Sequence, residues 1–405
     1  MKKVLFLSYL VLPTLIQAPF DFDRTSAISP LQMIPSPAAE QSSSPYLFSN
    51  GKHLYMSWTE IEDQGVKVLK YSSLQDKVWE PVKEIHKGTN WFINWADFPI
   101  ITENQGNLLT HTLVSSAPMS HAYDIRIHLQ PQMTKQWKTD LPLHTDGTPT
   151  EHGFVSAQPY KDGFFINWLD GRAMKPGGHM NTHGTMSLRA AFLDFQGNIS
   201  SEAVLDEHSC ECCQTSSAIT ANGPVVVYRD RSENETRDIS IVRLDNGQWT
   251  TPKTVFADHW VIRGCPVNGP QVAALGKHVA VTWFTMAGGT PKVQLIFSDD
   301  SGAHFDAPIE LSKIDVVGRV NLAYIDTNTV AVSWVEQKDR RSIIKVMAIS
   351  KAGQRSSAIT IGETQVSGIP QIEVLQDKLY IAWTEQTSYK DRIHTAYIPL
   401  KAFEL

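Results

Sequence analysis

A short apolar run ending in an aromatic residue, usually with an acid two places later, recurs along this chain and limits its fold more than any other feature. The instances are LYMSWTE around Trp58, FFINWLD around Trp168, VVVYRDR around Tyr228, VAVTWFT around Trp283, VAVSWVE around Trp334 and LYIAWTE around Trp383. Pro45, Pro270 and Pro370 each stand 13 residues before one of these aromatics, where another short strand opens. About 21 residues after an aromatic comes a polar turn, as in SLQDKVWEP, LDNGQWTTP and SDDSGAHFDAP. Each unit therefore reads strand, turn, strand, loop, strand, turn, strand over about 45–55 residues, the length of a four-stranded propeller blade. A further unit from Trp95 to Leu143 fits by spacing, although NLLTHTL lacks the aromatic. Units beginning near Pro45, Asp97, Val155, Ser216, Pro270, Asn321 and Pro370 predict an all-β propeller of seven four-stranded blades, with six as the alternative. The regular aromatic spacing argues against a β-sandwich.

Composition agrees with that class. Charged residues make up 19% of the 405 and hydrophobic ones 42%, enough for a large core in one propeller domain spanning 19–405. A net charge of −6 and the absence of basic runs exclude general attraction to nucleic acid or anionic membrane. The start, MKKVLFLSYLVLPTLIQA, places two lysines before an apolar run from Val4 to Ile16 and a small residue at Ala18. That run is too short to span a bilayer and suits a secretory signal over 1–18, with an uncleaved anchor as the alternative. The expectation is a periplasmic or secreted monomer, without a membrane span once the signal is removed, in a compartment where cysteines pair.

SDDSGAHF resembles the Asp-box of the sialidase superfamily, Ser-x-Asp-x-Gly-x-Thr-Trp, with Ser298, Asp300 and Gly302 matching and Phe305 in place of the Trp. Turns near Asp76, Asn246 and Gly353 look like degenerate copies. The resemblance implies a turn between the third and fourth strands of a blade and a structural role for all four box residues. It says nothing by itself about chemistry.

Strand order assigns residues to faces. First-strand starts and second-strand ends share one face, which gathers Glu60, Asp170, Asp230, Glu336 and Glu385 with His152, Cys213, Asn268 and Arg319. An insertion from Gly171 to Met186 in blade three adds to it. Ligands are expected there, with His152, Arg172, Arg229, Arg231, Arg263 and Asn268 as the candidate binding face. Glu60 and Glu385 read as acids solvating an edge.

Cys210, Cys212, Cys213 and Cys265 fall at the same corner of two adjacent blades, and three outcomes stay open for them. They are disulfides, one tying blade five to blade four; or a copper or zinc site completed by His179 and His183; or, last, they include a nucleophile.

The resemblance also implies a candidate activity. Sialidases grip a carboxylate with three arginines and use an Asp acid/base and a Glu-activated Tyr nucleophile. The stretch SSSPYLFSN, where the first arginine would stand, has none. The expected function is therefore a non-catalytic binding or scaffold protein for a glycan, a peptide or a soft metal ion. The alternative is a glycosidase with a rearranged site on Asp170, Asp230 and Arg319. Arginines beside Asp170 and Asp230 are expected to keep both acids ionised.

Overall fold

The computed structural model describes residues 29–119, 121–175, 184–387 and 390–405. Residues 1–18, where a secretory signal is expected, and His179 and His183 lie outside the described residues. Seven antiparallel blades surround a central axis, and the favoured blade count stands. Their inner strands are Ser42–Ser49, Ile101–Asn104, His152–Tyr160, Ser216–Ile219, Gln271–Leu275, Val316–Asp326 and Val366–Leu375. In blades one and four the outer strand is divided into two short segments. The ring is closed by the chain itself. Gln32–Ile34 pairs antiparallel with Asp391–Pro399 and becomes the outer strand of blade seven, so both ends of the chain share one sheet. Three half-exposed or exposed residues supply that strand, too few to show as a repeat.

The aromatic-x-acid signature has a physical cause. Trp58, Trp168, Trp283 and Trp334 are buried between blades, and an indole N–H removed from water needs an acceptor. The acid two residues on supplies it: Trp58 donates to Glu60 at 2.7 Å, Trp168 to Asp170 at 2.9 Å and Trp334 to Glu336 at 2.8 Å. Where Thr285 replaces the acid, Trp283 donates to Asp258 instead, at 2.6 Å. Glu60 is thus not a solvated edge acid. It is 5% exposed and also paired with Lys70 at 2.7 Å.

A second repeat shapes the face where first strands begin. Blades one, three and six open with a register shift at a residue of left-handed φ: Ser44, Phe154 and Arg319. Each such residue donates its backbone N–H to the preceding blade, respectively to Thr384, Asp97 and Asn268. These bulges turn the strand start toward the mouth of the propeller. The neighbours come close enough to exclude a side chain. A Cβ on Gly153 would stand 2.0 Å from Asp97 Oδ2, and one on Gly269 would stand 2.1 Å from the Gln214 carbonyl.

The SDDSGAHF turn joins the third and fourth strands of blade five, Lys292–Ser298 and Ile309–Ser312. Ser298 Oγ accepts from the Gly302 amide at 3.0 Å, Asp300 accepts from the His304 amide at 2.9 Å, and Phe305 packs against the core shared by blades four and five.

Candidate functional site

The opening of blade three concentrates buried titratable groups. His152 starts its inner strand, directly opposite Asp170 at the end of the second strand. His152 Nδ1 lies 3.1 Å from the Thr150 carbonyl and 3.2 Å from that of Tyr123. Its Nε2 makes no hydrogen bond and faces Asp146 Oδ2 at 3.4 Å and Asp170 Oδ1 at 3.7 Å. His144 stacks on the imidazole at 4.0 Å and donates from Nδ1 to Asp146 at 2.7 Å. Arg172 grips both oxygens of Asp170 at 2.7 Å. Burial works to raise both carboxyls. Against it, the hydrogen bonds from Arg172 hold Asp170 low, and those from the Thr148 hydroxyl and amide hold Asp146 well below the usual range.

Beside this cluster, Tyr123 donates to Glu151 at 2.6 Å and lies 3.4 Å from Asp97 Oδ2. Burial, reinforced by the charge of Glu151, raises the Asp97 carboxyl well above its ordinary value, against the amide of Phe154 that lowers it. Sequence reasoning did not single out Asp97, Tyr123 or Glu151. They fall in three separate segments and are joined only by the blade two–blade three seam.

The cysteines meet, as their register requires. Cys212 and Cys265 form a disulfide that ties blade four to the approach of blade five, 53 residues on. Cys210 and Cys213 are free, buried thiols whose sulfurs lie 3.5 Å apart. Arg237 donates to Cys210 Sγ at 3.1 Å. Burial opposes ionisation of both thiols. Cys213 and Arg237 nevertheless lower Cys210, and burial with the Cys210 charge raises Cys213. Cys210, Cys212 and Cys213 form one group that could hold a metal ion; Asp146, His152 and Asp170 form another.

Except for Arg263, the arginines of the expected binding face are occupied inside the fold. Arg229, 1% exposed, donates to the carbonyls of Asn268, Arg237 and Phe284 and lies over Trp260. Arg231 turns to Glu211 and Glu235, away from Asp230. Asp230 therefore departs from expectation: burial and Asp206 raise its carboxyl, because no guanidinium stands against it. Arg319 stacks on Trp95 at 4.4 Å and donates to the Gly368 carbonyl, while Asn268 receives the Arg319 amide on its side chain. Arg263 is exposed. Asp170, Asp230 and Arg319 are thus held by separate sets of partners.

Besides the central channel, three clefts open among the described residues: one of about 580 Å³ between blades three and four, one of about 680 Å³ lined by Asp315, Glu336, Lys338 and Arg341, and one of about 380 Å³ beside Trp260 and Met286. The central channel holds about 100 Å³ and is lined by side chains of the inner strands and of the segments just before them, including Asp97, Gln214, Gln271, Asn321, Gln371 and Glu373. Burial pushes the Glu373 carboxyl up to about 8. The 580 Å³ cleft lies on the opposite face. Tyr160, Phe192 and Trp249 supply aromatic surface there, and Lys161, Asp162, Asp194 and Glu202 form polar walls.

Comparison with solved structures gives matches across most of the chain. The Hadza microbial sialidase Hz136 is 15% identical over 83% of this chain and 74% of that one, with a TM-score of 0.50. A family PL25 ulvan lyase bound to a GlcA–Rha3S saccharide is 11% identical over 91% and 94%, with a TM-score of 0.51. A puromycin-hydrolysing peptidase of Mycobacterium tuberculosis is 9% identical over 93% and 54%, also at 0.51. These likenesses define a sialidase-like β-propeller fold, and at such identities they define the fold alone. No family model and no curated protein matches the sequence. Among the described residues, no helix is long and apolar enough to cross a membrane.

Proposed function

We propose that this protein is an exported, non-hydrolytic carbohydrate-binding propeller whose ligand lies in the cleft between blades three and four. The cleft carries the reading. Ligand sites usually occupy about 300–1,000 Å³, a range that excludes the 100 Å³ channel, and among the clefts within it the 580 Å³ one gathers three aromatic side chains. The electron-rich faces of Tyr160, Phe192 and Trp249 suit the C–H faces of a sugar ring, and the carboxylates of Asp162, Asp194 and Glu202 suit its hydroxyls. Arg172, Arg229, Arg231 and Arg319 on the other face support the non-hydrolytic part, since guanidinium groups occupied by carbonyls and carboxylates are not free to clamp an anionic sugar. A soft ion at Cys210 and Cys213 remains a candidate ligand of that face, with two thiols to offer while Cys212 and Cys265 are bridged. Calorimetric titration of the mature chain with neutral and acidic oligosaccharides tests the proposal. Trp249→Ala should weaken binding by about tenfold, the equivalent of ~1.4 kcal/mol. Binding untouched by that change removes the cleft from the reading.

A specific observation favours a second reading, a glycoside hydrolase: the Tyr123 phenol bonded to Glu151 beside Asp97, whose carboxyl is raised by burial. This is the set of groups that the sialidase resemblance implies, on residues other than Asp170, Asp230 and Arg319. Phe92 stacks on Tyr123 at 4.3 Å and leaves it 1% exposed, which is why binding is preferred. Turnover of fluorogenic sialosides that is lost in Tyr123→Phe would reverse the preference. Turnover lost instead in Asp170→Asn and Asp230→Asn would return the site to those acids.

A further inference from the structure

We propose that His152, Asp146 and Asp170 form a divalent-metal site whose ligand set best matches zinc. The argument begins with the tautomer of His152. Both neighbours of Nδ1 are backbone carbonyls, at 3.1 and 3.2 Å, so Nδ1 carries a proton and donates. In the neutral ring Nε2 is then a bare lone pair. It is wholly buried, makes no hydrogen bond and faces two carboxylate oxygens, at 3.4 and 3.7 Å. Arg172 braces the two carboxylates from one side, 2.7 Å from Asp170 Oδ2 and 3.8 Å from Asp146 Oδ2, but gives Nε2 no partner, and a cation among the three atoms would supply one.

That cation is a proton or a metal ion, and distance separates the two. A charge-assisted N–H···O bond spans about 2.7–2.9 Å, so both separations are too long for an imidazolium bonded to either carboxylate. Tetrahedral ligands with bonds of about 2.0–2.1 Å lie about 3.3 Å from one another, close to what His152 and Asp146 show. The oxygen and nitrogen donor set suits zinc, and a fourth position is left for water or a ligand.

The surroundings hold this set in place. His144 accepts the Ile125 amide on Nε2 at 3.2 Å, which leaves its Nδ1 proton for Asp146 Oδ2. Thr148 binds the other oxygen of Asp146 through its amide and hydroxyl. Arg172 and Trp168 fix Asp170. Outer partners of this kind orient ligands and tune their affinity. Around the site Asp146, Asp170 and Glu202 stand against Arg172 and Arg189, so with a neutral His152 the acids exceed the guanidinium groups by one and a divalent ion would bring the sum to +1. This site uses no sulfur and shares no residue with the carbohydrate cleft, so either proposal stands if the other falls.

The test uses the full mature chain, stripped with chelator and titrated with zinc chloride, then with cobalt chloride. Wild type should bind one equivalent of zinc, and the Cys210→Ser/Cys213→Ser double variant should bind it equally well. His152→Gln should weaken binding by ~100-fold or more, the upper end of what loss of an outer-shell partner alone costs. The cobalt complex of wild type should show visible d–d bands without a thiolate charge-transfer band, which decides the matter even if His152→Gln fails to fold. The proposal is overturned by no zinc uptake, by uptake that survives His152→Gln, by uptake lost in the cysteine variant, or by a thiolate band.

Discussion

The Arg229 corner and the His152 corner occupy adjacent blades on one face, and both bury charge, yet they differ in completeness. Around Arg229 every guanidinium nitrogen finds an acceptor: the Asn268 carbonyl at 3.0 and 2.9 Å, Arg237 at 2.6 Å and Phe284 at 2.7 Å. Arg237 is likewise shared among Glu211, Glu235 and Cys210. Around His152 the carboxylates are well supported, but the imidazole nitrogen at their centre is not. A buried polar network that closes on itself fixes architecture; one that leaves a central atom unmet marks a place for something else. Stability should therefore fall far more when the first corner is damaged than the second.

Arg229→Met sets the upper end. It keeps much of the volume but strips partners from three buried carbonyls, and should cost about 3–5 kcal/mol. Urea unfolding would show a lower midpoint with an unchanged slope. A loss under ~1 kcal/mol would mean that water replaces the guanidinium and that the corner is not architectural.

Opening the Cys212–Cys265 bridge comes next. The bridge closes a loop of 53 residues and links two blades, so Cys212→Ser should cost about 2–4 kcal/mol. Thiol titration under denaturing, non-reducing conditions should find two thiols in wild type, from Cys210 and Cys213. Four would show that the staple is reduced in the protein as purified, and the cost of Cys212→Ser would then vanish.

Glu373 gives an effect that depends on pH. Its carboxyl titrates near 8 in the folded channel and near 4.3 in an unfolded chain. A raised folded value means the stabilising contribution is complete below about 4.3 and is lost as pH rises toward 8. Melting temperature should decline across that window, and Glu373→Gln should flatten the decline relative to wild type. Identical slopes in the two proteins would show that channel water solvates the carboxylate.

How much of this was legible in the sequence differs between the two corners. Blades were readable because Trp58, Trp168, Trp283 and Trp334 recur at one strand position, with an acceptor two residues later in all but Trp283, and a period survives the loss of single members. The meeting of four cysteines followed from the same register. The closing strand Gln32–Ile34 was not readable, because three residues carry no period. Nor were the partners of His152. Asp146 and His144 lie in the loop before blade three, where the chain has no strand alternation to assign a face, and Asp97 and Glu151 sit just outside strand starts. The arginines misled for a related reason. YRDR places Arg229 and Arg231 beside Asp230, but strand alternation and the Glu211–Glu235 pair pull both guanidinium groups away.

The smallest predicted change is the most informative about the comparison. In metal-free protein, His152→Gln should alter stability by less than ~1 kcal/mol, because the imidazole gives up only two long Nδ1 contacts and an Nε2 with no hydrogen bond to lose. Glutamine can still donate to the Thr150 carbonyl. With zinc present the same substitution should forfeit the added stability that binding confers, which grows as the logarithm of zinc concentration over Kd. Paired thermal melts with and without zinc chloride measure both quantities on one sample. A loss of several kcal/mol in the absence of metal would make His152 a filled architectural group like Arg229, held as an imidazolium between its two acids, and the two corners would then be alike.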